Sequence, residues 1–163
     1  MAGPGAVAAR ALAAAVLAAA GAAAGPGGAA EKPVEHRFET ILAAAHSGLA
    51  ERRREVIRDE ASWAQLWADI HTSVTPTPPL PAVDFTRDML IAVATGTRPS
   101  GGFGVEVRSV AIRGERVEVG VFERCPAPGA MVSMALTRPV EVVRVARLTQ
   151  AVTFQDARAA SCR

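Results

Sequence analysis

Apolar positions along this chain change period once. In "DEASWAQLWADIH", Trp63, Leu66, Trp67 and Ile70 fall at i, i+3, i+4 and i+7, one stripe of an amphipathic helix. Asp59 or Ser62 can cap its start by accepting backbone N–H groups. From Arg87 onward the period is two. "RDMLIAVAT" is apolar almost throughout and reads as a buried strand. "FGVEVRSVAI" sets Phe103, Val105 and Val107 against Gly104, Glu106 and Arg108, and "RVEVGVFER" sets Val117, Val119 and Val121 against Glu118, Gly120 and Phe122. Between them, "RGE" places Gly114 where a tight hairpin needs positive φ. "MVSMALTRPVEVVRVARL" is expected to supply a further strand pair or one bent strand, pairing lapsing at Pro139. "QAVTFQD" is expected to be a last edge strand. Upstream, Phe38 and Ile41 can open a first strand, while "AERRREVIR" fits helix and strand alike. The predicted fold class is α+β: an antiparallel β-meander sheet with one amphipathic helix packed on it, after an N-terminal signal peptide.

Both tryptophans lie on the helical stripe, so they are expected to pack the helix on the sheet rather than stack on a ligand. The next segment, "TSVTPTPPLPAVDF", carries four prolines between Pro76 and Pro81, which forbid helix and central strand. It reads as a stiff surface crossover, with a recognition segment as the alternative. In "GTRPSGGFGVEV" the glycines beside a basic residue suggest a phosphate cradle. Such a cradle runs into a helix N-terminus, whose free N–H groups hold the anion. Here the glycines run into an alternating strand, and neither "GK[ST]" nor the dinucleotide spacing is present. "RPSGG" is therefore read as a turn, with Pro99 presetting φ and Gly101 and Gly102 tolerating unusual backbone angles.

Composition alters this picture mainly at the start. Residues 1–30 are almost wholly Ala, Gly, Val and Leu with one charge, Arg10. A short basic start, a short apolar core and small residues before residue 31 fit a secretory signal peptide, and the core is short of the about 20 residues of a membrane span. The expected division is signal peptide 1–30, linker 31–37 and a single domain over residues 38–163. The formal net charge is +2, and losing Arg10 leaves the rest near neutral, a poor basis for nucleic-acid binding. The arginines of "RRR" stand among Glu51, Glu55 and Glu60 and read as a solvated face. Export places Cys125 and Cys162 in an oxidising compartment, where such a pair usually bridges; two free thiols are the alternative.

The chemistry-bearing residues do not form a recognisable constellation. Ser47 adjoins His46, but sequence neighbours rarely face each other productively. His36, His46 and His71 lack metal-like spacing. Asp84 and Asp88 lack the EF-hand alternation, and Asp84 is expected to cap a turn while Phe85 anchors in the core. The expectation is no enzyme, with no catalytic residue, cofactor or metal. Arg98, in a loop braced by Pro99 and two glycines, either presents its fork to a partner carboxylate or satisfies nearby carbonyls. "CPAPG" can lie at the same end of the sheet.

The ordered stretches "SWAQLW", "PAVDF", "MLIAVATGTRPSGGFGVEV" and "PAPGAMVSMALTRPVEVVRV" resemble the PrcB family of bacterial exported proteins, over residues 38–154. The stretch Gly96, Arg98, Pro99, Ser100, Gly101, Gly102 is the most distinctive; Val140 stands after Pro139 where such proteins commonly have an aromatic. The resemblance implies an extracytoplasmic, periplasmic or secreted accessory domain that stabilises or docks onto a protein partner, a protease complex for the family's namesake. Arg98, Pro99, Ser100, Gly101, Gly102, Pro126 and Pro128 are the candidate partner-binding residues, with no nucleic acid and no membrane insertion after signal cleavage. An inhibitor-like domain, its proline loop in a protease cleft, is the alternative, and an extracytoplasmic hydrolase with an unrecognised site is a third.

Overall fold

A computed structural model describes residues 32–162. The expected signal peptide, residues 1–30, lies outside them. The helix forms where the stripe placed it. Helix α1 spans Glu60–Ile70, and the Asp59 carboxylate accepts from the Ser62 N–H at 2.8 Å. The described residues also form eight strands: β1 (Val34–Glu35), β2 (Phe38–Ala44), β3 (Arg52–Ile57), β4 (Asp88–Thr95), β5 (Gly104–Arg113), β6 (Arg116–Arg124), β7 (Val140–Ala146) and β8 (Ala151–Arg158).

The expected single meander is corrected by the topology. The strands form two four-stranded sheets, ordered β2-β7-β4-β3 and β1-β5-β6-β8. All pairs are antiparallel except β6 with β8, which run parallel. Among the described residues only β5–β6 is a tight hairpin, closed by Arg113 opposite Arg116 around Gly114 at φ 55°. The segment expected as a linker contains β1, which pairs with β5. Residues 131–136, expected as strand, form a loop, and β7 begins only after Pro139.

Two sheets arise because β4 is apolar on both faces. Met89, Ile91 and Val93 meet Val107, Val110, Val117, Val119 and Val121 of the other sheet. Leu90, Ala92 and Ala94 meet Trp63, Leu66, Trp67 and Ile70 of the helix. A strand buried on both faces reads as a continuous apolar run, as β4 does. The layers are thus helix, sheet, sheet. Two bulges adjust the pattern. Ile41 interrupts the β2–β7 register, so Phe38 and Thr40 face the second sheet while Leu42 and Ala44 face the helix layer. Arg108 interrupts β5–β6, keeping Val105 and Val107, then Val110 and Ile112, on the inner face.

The proline crossover is strapped over the helix. The Trp63 indole N–H donates to the Pro81 carbonyl at 3.0 Å and that of Trp67 to Pro78 at 2.9 Å. The tryptophans therefore pack the helix, as expected, and also hold the connector that returns the chain to β4. Asp84 caps its own turn, accepting from the Thr86 N–H and hydroxyl at 2.9 and 2.6 Å, while Phe85 packs on the core.

Candidate functional site

Two loops meet at the end of the sandwich where β4 and β6 finish. Arg98, just past β4, exchanges two backbone hydrogen bonds with Thr137, at 2.7 and 3.0 Å. The Thr137 hydroxyl donates to the Ser100 carbonyl at 2.8 Å, and the Gly101 N–H to the Ser133 carbonyl at 2.9 Å. Gly102 has φ 82°, and a Cβ there would stand 2.9 Å from Pro126 Cβ. Only glycine combines that angle with that approach. The sequence-selected stretches 98–102 and 126–128 are thereby brought together: Pro126 is half-buried beneath Gly102, while Pro99 and Pro128 are exposed. The loop turns into β5, with no helix at its glycines.

The braced loop carries the most exposed large apolar side chains. Met131 is 101% exposed, Met134 89% and Leu136 62%. Leu136 also lines a cleft of about 270 Å³ with His46, Ser47, Ile70, Val74 and Arg138. Ser47 is committed structurally, its hydroxyl donating to the Arg138 carbonyl at 2.8 Å. The Cys125–Cys162 disulfide forms as expected, with Cα atoms 5.2 Å apart, and ties the C-terminal segment to the start of this loop.

Behind the loops lies an ionic cluster that the alternation pattern contains but that the strand reading above did not extend to. The inner row of β6 runs Val117, Val119, Val121, Glu123, and that of β8 runs Val152, Phe154, Asp156, Arg158. The inner row of β3 begins Arg52, Arg54 before reaching Val56. All three rows become charged at the same end. Glu123, only 4% exposed in its side chain, is reached by Arg54 at 2.7 Å, Arg52 and Arg98 at 3.2 Å and Arg158 at 3.4 Å. Asp156 takes Arg54 at 2.7 Å and Arg52 at 2.8 Å. Desolvation pushes the Asp156 carboxyl up, but hydrogen bonds from Arg52 and Arg54 together outweigh it and leave it below its ordinary value. The Asp156 hydrogen bond, against a smaller desolvation penalty, raises the Arg52 guanidinium further. "RRR" is thus not one solvated face: Arg52 and Arg54 enter this cluster, and Arg53, on the opposite face, bonds Asp69 of the helix at 3.2 Å. Arg98 turns inward to Glu123 with its guanidinium carbon over Phe103, 5.8 Å from the ring centre.

One further carboxylate lies inside the sandwich. Glu141 of β7 accepts from the Val107 N–H at 2.5 Å and from the Thr40 hydroxyl at 3.1 Å. The bulge at Arg108 frees that N–H from the β5–β6 ladder, and Glu141 satisfies it across the sheets. Burial raises the Glu141 carboxyl above its ordinary value, against these two hydrogen bonds.

Fold and loops together define a two-sheet domain with a helix on one outer face and a braced, partly apolar loop end. Residues 89–146 match the family model described as PrcB C-terminal, and over that span the chain is similar to this domain. That span runs from β4 through β7 and includes both loops. No curated protein and no solved structure matches the chain.

Proposed function

We propose that this protein is a non-catalytic, extracytoplasmic accessory domain that docks onto a protein partner through the loop end of its sandwich. The observation that carries the reading is the display of Met131, Met134 and Leu136 on a loop held at both sides, by the Arg98–Thr137 bridge and by the disulfide. Burying one such side chain against a partner contributes about 1.5–3 kcal/mol. Because the loop is braced beforehand, little further ordering opposes binding. Methionine's flexible thioether adapts to an irregular partner surface. The disulfide supports an oxidising compartment. The PrcB-like domain supports an exported protein as partner, with a protease complex as the first candidate.

The test is affinity purification of the full-length protein from the cell envelope, beside a Met131→Ser, Met134→Ser double variant. The reading expects an exported partner to enrich with the natural protein and to be lost with the variant. It fails if nothing enriches and exported proteases keep their lifetime when this protein is absent. Adding the purified protein to the partner then separates stabiliser from inhibitor: activity persists longer or drops.

A further inference from the structure

We propose that the arginine end of the sandwich binds a carboxylate from outside the domain, carried by an acidic residue of a polypeptide. The argument starts from unequal charge. Arg52, Arg54, Arg98 and Arg158 surround only Glu123 and Asp156. Among the described residues, two positive charges therefore remain uncompensated within one cluster.

The excess lies on the accessible side. Arg54, 9% exposed, is saturated: it bonds Asp156 and Glu123, and also the Arg53 and Ala94 carbonyls at 2.8 and 2.9 Å. Arg52, Arg98 and Arg158 are exposed by 41%, 28% and 59%, and each gives the cluster's carboxylates only one or two of its five donors. The Arg98 Nε–H is buried with no partner at all. A purely structural network gains nothing from arginines beyond neutrality, since their mutual repulsion opposes folding. Glu123 fixes these guanidiniums from below, so their remaining donors are organised before a ligand arrives. Planar forks that already hold two carboxylates suit a third, through paired charge-assisted hydrogen bonds.

This inference does not depend on the methionine loop, and small probes test it alone. Blocked aspartate (acetylated and methylamidated) and inorganic phosphate are titrated into the oxidised full-length protein, with sodium chloride holding ionic strength constant. Side-chain Nε–H resonances of Arg52, Arg98 and Arg158 and the thermal midpoint report binding. Blocked aspartate is expected to shift these resonances to saturation and to raise the midpoint. The Arg52→Gln, Arg158→Gln double variant is expected to bind it about tenfold or more weakly. Its ligand-free midpoint is expected to stay close to that of the natural protein, because relieved repulsion offsets the bonds lost to Glu123 and Asp156. Arg116→Gln, at the far hairpin, is expected to bind as the natural protein does. Saturation by phosphate but not by blocked aspartate overturns the proposal in favour of a phosphate ligand. No saturation by either overturns it outright. A double variant with a clearly lower ligand-free midpoint also overturns it, showing that these arginines serve the fold.

Discussion

Replacing Glu123 with Gln tests whether the ionic cluster behaves as a buried network. The carboxylate is 4% exposed and sits against the 9% exposed Arg54 guanidinium at 2.7 Å, with three more arginines within 3.4 Å. The amide keeps the volume but removes the charge and turns an NH2 group toward guanidinium donors. Arg54 then keeps only Asp156 as an acidic partner. Breaking a buried pair by removing one member costs about 3–5 kcal/mol, whereas replacing both members with apolar groups is often neutral or stabilising. A domain of this size has about 5–15 kcal/mol in total. Glu123→Gln is therefore expected to cost about 3 kcal/mol in urea denaturation at neutral pH, read as a lower midpoint at unchanged slope. The paired variant Glu123→Leu with Arg54→Leu is expected to recover more than half of that loss. A Glu123→Gln cost near the about 0–1 kcal/mol of a surface pair refutes the reasoning, since it means that water screens the cluster despite its burial. A paired variant worse than the single one refutes it differently, by showing that Arg54 stabilises through the Arg53 and Ala94 carbonyls it caps.

Removing the disulfide by Cys125→Ala with Cys162→Ala is expected to cost about 4 kcal/mol in the chain-entropy model for this 37-residue separation. Hydrogen exchange should show β8 losing protection first, because its second half is exposed and only one neighbour holds it. Glu141→Gln tests the buried carboxylate by pH. The raised folded value means the folded state holds the proton more tightly, so Glu141's contribution is fully present below its unfolded value, near 4.5, and lost as pH rises through the folded value. The natural protein should gain stability relative to Glu141→Gln as pH falls through that window. Asp156→Asn should show the reverse, since its folded value is lowered and its contribution is lost on acidification; equal slopes from denaturation midpoints across pH defeat both. Gly48→Ala places a Cβ 2.0 Å from the Asp69 carbonyl at the helix end, so a loss of at least about 2 kcal/mol is expected in the same urea assay.

Local patterns carried most of the elements. The helix stripe, the Gly114 hairpin and the strands from Asp88 to Arg124 are local features, set by side-chain period and one glycine, and the sequence shows them directly. Sheet partition is not local. Nothing in "QAVTFQD" says that β8 returns to run parallel with β6, because an edge strand's direction depends on the connection before it. The doubly buried run "MLIAVA" was a clue to two layers, for a strand of a one-layer sheet with one helix needs only one apolar face. At the site, Arg98 was legible as special through its proline and glycine bracing, but its direction was not. Glu123 was legible by parity alone: it continues the row of Val117, Val119 and Val121, and a charge on an inward row demands partners. The charged ends of β3 and β8 follow the same rule. The exposed methionines were hidden because "MVSMAL" has strand-like composition, and only the contacts at Gly101, Ser133 and Thr137 show that it is held as a loop.

The matched span explains why these features converge. Residues 89–146 supply two adjacent strands to each sheet, β4 with β7 and β5 with β6, together with both loops at one end. Such a four-strand unit has an apolar face left over, the Leu90, Ala92, Val140 and Val142 side of the first sheet, and α1 covers it. It also leaves the inner edge beside Glu123 open. There β3 and β8 close the sandwich with arginines and Asp156 in place of more valine. Charged closure at a sheet edge keeps the sandwich from pairing with further strands. It also places guanidinium donors beside the one loop cluster that the span itself provides. Apolar contact at Met131 and Met134 and ionic contact at Arg52 and Arg158 can then be separated by substitution, because the first set resides in the matched span and the second in the strands that close it.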